Sequence, residues 1–88
     1  MVKIVQAEHI VGTRIRVTFS TNESGVYDVG AILARGGPMV APLQDASFFR
    51  AFFLELGALA WKNGFELSPQ ALYEELKTTK QLAPSQAA

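Results

Sequence analysis

The sequence predicts a small α+β domain: an antiparallel sheet built from hairpins, with a short helix and a C-terminal helix packed on it. Three observations carry this reading. The run Arg14-Ile15-Arg16-Val17-Thr18-Phe19-Ser20 alternates polar and apolar residues without a slip, which is the period of a half-buried strand. Turn-forming residues recur at Gly12-Thr13, over 21–25 and at Asn63-Gly64, as hairpins require. Ser68-Pro69 stands ahead of Leu72, Tyr73 and Leu76, the start signal of an amphipathic helix.

Residues 2–11 hold Ile4, Val5, Ile10 and Val11 among polar neighbours and read as an opening strand. Gly12-Thr13 breaks it. In the next strand, period two puts Ile15, Val17 and Phe19 on one face and Arg14, Arg16 and Thr18 on the other. Residues 21–25 are small and polar and end in Gly25, which can supply a positive φ, so a hairpin returning through Val26-Tyr27 is expected.

Asp28 is placed to cap a short helix over 29–35, in which Val29, Ile32 and Leu33 share a face. Gly36-Gly37-Pro38 stops it. Asp45 is a second capping residue ahead of Phe48 and Phe49. Residues 51–56 then read as a strand, with Phe52, Leu54 and Leu56 towards the core and Phe53 and Glu55 away from it. Gly57-Ala58 turns the chain back into Leu59-Ala60-Trp61, and Asn63-Gly64 is a strong turn signal. In the last helix Ser68 is the N-cap and Pro69 the first position, Leu67 and Leu72 form a hydrophobic staple, and Lys77 and Lys80 lie near the negative C-terminal end. Residues 1–82 are expected to form one domain and 83–88 a frayed tail.

Composition narrows the function classes. A chain of 88 residues fits one domain, and its 49% hydrophobic content is enough for a core. The absence of cysteine excludes disulfides and thiolate zinc sites. Met1 leads into residues with no long apolar run, so neither a signal peptide nor a membrane span is expected and the cytoplasm is the expected compartment. Eight basic and eight acidic residues balance to zero. That balance argues against a dedicated nucleic-acid binder, whose affinity rests on phosphate contacts, and it removes a source of repulsion between copies.

The ordered set of motifs resembles an uncharacterised bacterial family, domain of unknown function 2442, over about residues 15–73. Its pieces here are the strand Val17 to Ser20, a Gly-containing turn, Tyr27-Asp28, a short helix, a Gly-Pro break, Pro42-Leu43-Gln44-Asp45, a Phe-rich strand, Trp61-Lys62-Asn63-Gly64 and Ser68-Pro69-Gln70-Ala71-Leu72-Tyr73. The chain departs from the family pattern at Lys62, where Pro is usual, and in a short connection at Gly57. The resemblance implies a small α+β domain without established catalytic residues. Some members carry an added helix-turn-helix domain and others are encoded beside small toxin-like partners, which implies a regulatory or antitoxin-like role. These 88 residues contain no such extension, so direct DNA binding is not expected.

No motif marks a catalytic, cofactor or metal site. His9 is the only histidine. Gly36-Gly37 follows a helix instead of opening one and lacks the Lys-Ser/Thr of a phosphate loop. Asp28 and Asp45 are assigned to caps, and Glu74 and Glu75 to an exposed helix face. Glu55 and Glu66 have no reason to meet. The expected function is therefore binding: a non-catalytic interaction or regulatory module that self-associates or pairs with a small protein. Phe49, Ala51, Phe53, Trp61 and Lys62 are the candidate interface, with Phe53 the odd apolar residue on a polar strand face unless the short helix from Val29 covers it; Trp61 is read first as the core anchor of a tight Trp61-Lys62-Asn63-Gly64 turn and only second as an interface residue. A nucleic-acid-binding accessory domain is the alternative, through a basic patch of Arg14, Arg16 and Lys62. An enzyme of unknown reaction ranks last.

Overall fold

In the computed structural model, which describes residues 1–85, the chain forms two antiparallel sheets with three short helices. Strands β1 (Ile4–Val11) and β2 (Arg14–Phe19) close around Gly12-Thr13, and β3 (Glu23–Asp28) pairs with the other side of β2. Ile15, Val17 and Phe19 are fully buried while Arg14 and Arg16 are exposed, as their alternation predicts. Antiparallel pairing places Ala7 and His9 opposite Val17 and Ile15, on the same face.

The turn after β2 differs from expectation. Positive φ falls on Asn22 (69°), not on Gly25, and β3 resumes at Glu23. Gly25 lies inside β3, opposite Val17. A Cβ there would sit 2.8 Å from the Gln81 carbonyl oxygen and 3.2 Å from Leu76 Cδ1. Glycine is needed at this position because the segment leaving the last helix crosses β3 in direct contact.

Asp28 is the last residue of β3, and Val29 occupies the N-cap position of α1 (Gly30–Arg35). Asp28 still supplies the helix start: its Oδ1 accepts the Gly30 amide at 2.8 Å and the Thr13 hydroxyl at 2.6 Å. A 3₁₀ turn (Ala41–Gln44) follows, and α2 (Ala46–Arg50) begins where Asp45 Oδ2 accepts the Phe48 amide at 2.9 Å.

The second sheet comprises β4 (Phe53–Glu55), β5 (Ala58–Ala60) and β6 (Glu66–Leu67), in that order. The strand expected over 51–56 is thus only three residues long. Ala51 ends α2, its amide bonded to the Phe48 carbonyl. Leu56 and Gly57 form the turn to β5, with φ of 51° and 85°. Two successive positive φ values are the signature of a type I′ hairpin turn. Gly57 also joins the sheets. Its carbonyl accepts the Ile4 amide at 2.9 Å, and a Cβ on it would lie 2.8 Å from Lys3 Cβ.

After β6, α3 (Pro69–Thr78) opens with Ser68 Oγ accepting the Ala71 amide at 3.3 Å. Leu72 and Leu76 are buried, and the Tyr73 ring meets Phe19 edge-on at 5.1 Å. Leu67 is buried as well, as the staple reading requires. Lys80 lies beyond the helix end, so only Lys77 occupies its last turn.

The expected tail begins as structure. β7 (Ala83–Pro84) pairs with the start of β3, extending the first sheet to the order β1-β2-β3-β7, and the Ser85 amide bonds the Asn22 carbonyl at 2.8 Å. Proline is tolerated because β7 is an edge strand. Residues 86–88 lie outside the described residues. One core, from Ile4 to Leu76, unites the inner face of β1–β3, α3 and the aromatic side chains beneath the second sheet.

Candidate functional site

The five residues expected to form an interface separate into two groups. Trp61 is 1% exposed and Phe49 is buried, so neither offers a surface. The Trp61 indole donates a 2.8 Å hydrogen bond to the Phe49 carbonyl, and its ring is flanked by Phe49, Phe52 and Phe65 at centroid distances of 5.7–6.2 Å. A large ring whose one polar atom is satisfied is a core anchor. The Trp61-Lys62-Asn63-Gly64 segment is correspondingly a turn. The Gly64 amide bonds the Trp61 carbonyl at 3.0 Å, and Asn63 Nδ2 bonds the Met39 carbonyl at 2.8 Å. Ala51 and Lys62 are exposed.

Phe53 is exposed as its position predicts, but it is not alone. Leu54 and Leu56, assigned by alternation to the core face, are also exposed: 40% for Phe53, 36% for Leu54 and 93% for Leu56. For Leu56 the reason is geometric. Period-two alternation ends where the I′ turn begins, so Leu56 is the first turn residue and projects into solvent. Only Phe52 keeps its expected place, against Trp61. The outcome is an apolar hairpin tip on β4, which has a ladder partner, β5, on one side only.

Leu56 is unfavourable there twice over. Type I′ turns favour Asn or Gly at this position because other side chains crowd the backbone at positive φ. A leucine fully in water also gains nothing from burial. Gly57 after Leu56, a two-residue turn signal of the same kind as Asn63-Gly64, is the sequence feature that marks this turn.

The expected basic patch is not assembled as free charge. Arg14 Nε lies 3.7 Å from Asp28 Oδ2, and Arg16 Nη1 lies 3.5 Å from Glu8 Oε1, so each guanidinium on the outer sheet face has a carboxylate beside it. Lys62 belongs to the turn between β5 and β6, in the other sheet. Asp28 and Glu23 have structural partners. Hydrogen bonds from Thr13 and the Gly30 amide, then the nearby Arg14, hold the Asp28 carboxyl below its ordinary range. The Tyr73 hydroxyl, donating at 2.6 Å, does the same for Glu23, with help from Thr21 and Lys77. Burial raises the Tyr27 hydroxyl. Glu55 and Glu66 stand on the two outer strands of the second sheet, with β5 between them. His9 Nε2 pairs with the Gly12 carbonyl at 2.9 Å. Among the described residues no three His, Asp or Glu side chains are grouped to hold a metal ion, and no helix is long and apolar enough to cross a membrane.

A family model described as protein of unknown function (DUF2442) matches residues 4–78. The chain belongs to this family. The DUF2442 match runs from the first residue of β1 to the last of α3, so β1 to β6 and all three helices lie within it and β7 falls outside. It is wider than the resemblance over 15–73, because β1 carries few punctuating residues of its own. No curated protein and no solved structure is detectably similar to the chain.

Proposed function

We propose that this DUF2442 domain is a non-catalytic protein-interaction module that associates through the β4–β5 hairpin, with a second copy of itself as the partner. The observation that carries this reading is Leu56: a strained, 93% exposed leucine at the tip of an edge hairpin, beside exposed Phe53 and Leu54. Strain held at a surface position is accounted for when the side chain is used there. A hairpin tip with exposed apolar side chains is a surface on which a neighbour can pack. A second copy suits it because a two-fold axis at the hairpin tip would set the same apolar side chains against each other, and a chain of zero net charge does not repel itself.

Nucleic-acid binding through Arg14 and Arg16 gains no support from charges already paired with Asp28 and Glu8. We place the module in the bacterial cytosol, in keeping with a chain that has no cysteine. The test is light scattering over a concentration series on the parent and on Leu56→Asn. The parent's mass is expected to rise with concentration and the variant's to stay monomeric. A parent that is monomeric throughout overturns self-association, and co-purification of a different protein that Leu56→Asn releases would reassign the hairpin to that partner.

A further inference from the structure

A cleft of about 240 Å³ opens between the β1–β2 turn, α1, the 3₁₀ turn and α2, lined by no residue of the β4–β5 hairpin. Leu33, Leu43 and Phe49 form an apolar floor, and His9, Gln44 and Arg50 stand at its polar edge. The floor is rigid, because Leu33, Leu43 and Phe49 are core residues and Phe49 is also held by the Trp61 indole. The edge is also fixed in part. His9 is tied to the Gly12 carbonyl and sits edge-on to Phe49 at 6.2 Å, and Gln44 Nε2 donates to the Leu33 carbonyl at 3.1 Å.

Arg50 is different. Its guanidinium makes no ion pair or hydrogen bond with any described residue, while those of Arg14 and Arg16 each have a carboxylate beside them. No Asp or Glu lines the cleft. A concave apolar surface with one unpaired guanidinium and no acid matches an occupant with an apolar body and a single negative group. Arginine's planar fork suits a carboxylate, which it can hold by two parallel hydrogen bonds. The volume lies below the roughly 300–1,000 Å³ of drug-sized sites, so one ring or one branched chain fills it. We propose that this cleft binds a small organic carboxylate, its apolar body on Leu33, Leu43 and Phe49 and its charge on Arg50.

The test is an amide NMR titration of the full chain with phenylacetate. Saturable shifts are expected at Gly12, Ala46 and Arg50, with affinity about tenfold weaker, the equivalent of one charge-assisted contact, for uncharged phenylacetamide. Arg50 is exposed, so Arg50→Gln keeps the fold and should show the same loss for phenylacetate. Ala46→Trp, which fills the cleft from an exposed position on its wall, should remove the shifts altogether. Equal affinity for the acid and the amide, shifts that survive Ala46→Trp, or no saturable shift in the folded parent would each overturn the proposal.

Discussion

The Tyr73 hydroxyl donates a 2.6 Å hydrogen bond to Glu23 Oε1, joining α3 to the first residue of β3 across 50 positions of sequence. The bond also stands beside the Glu23–Pro84 pairing that adds β7 to the sheet. Its two partners titrate in opposite directions. Hydrogen bonding lowers the Glu23 carboxyl from its ordinary value of 4.5 and raises the Tyr73 hydroxyl from 10.0.

Tyr73→Phe is therefore expected to destabilise the domain with a characteristic pH dependence. A lowered carboxyl contributes stability above its unfolded value and loses it as pH falls through the folded one; a raised hydroxyl contributes below its unfolded value and loses it as pH rises through the folded one. The difference between parent and variant should thus be flat near neutrality and shrink at both acidic and strongly alkaline pH. Denaturant midpoints measured across pH check this; the variant keeps the ring packed on Phe19, so a pH-independent difference would show that the hydroxyl's bond to Glu23 is not the source of the loss.

Leu56→Asn is expected to move stability and association in opposite directions. Asparagine tolerates the positive φ of a type I′ turn, so the monomer should gain about 1 kcal/mol, read by urea unfolding at low concentration. The same change removes the exposed leucine and should weaken self-association. A destabilised monomer would show that Leu56 packs within its own chain.

Gly25→Ala should cost about 1–3 kcal/mol, the usual range for overpacking a closed contact. The added methyl meets the Gln81 carbonyl at 2.8 Å, and backbone yields less than a side-chain end. Thermal unfolding measures the loss. A neutral result would show that the segment after α3 moves away from β3 without penalty.

Asp28→Ala should lose roughly 0.5–2 kcal/mol, as caps do, although the residue belongs to β3. The carboxylate holds two donors, the Gly30 amide and the Thr13 hydroxyl. Thr13→Val removes only the second and should cost less by denaturant unfolding. Equal losses would make the Thr13 bond, and not the helix start, the main contribution.

Local interactions explain what the sequence by itself determined. The alternation of β2, the caps at Asp45 and Ser68, the Asn63-Gly64 turn and the family motifs depend on neighbours within a few positions, and each takes its predicted place. Tertiary structure decided what depends on distant partners. Gly25 is a contact with Gln81 instead of a turn, Trp61 is buried among Phe49, Phe52 and Phe65 with its indole N–H satisfied by the Phe49 carbonyl, and Arg14 and Arg16 meet carboxylates on adjoining strands. The exposed Leu54 and Leu56, and the cleft beside Arg50, belong to the same class. A side chain's type fixes how much it gains from burial, but the register of the strands and the packing of the helices decide whether burial is on offer, and that balance is struck only when residues far apart in the chain meet.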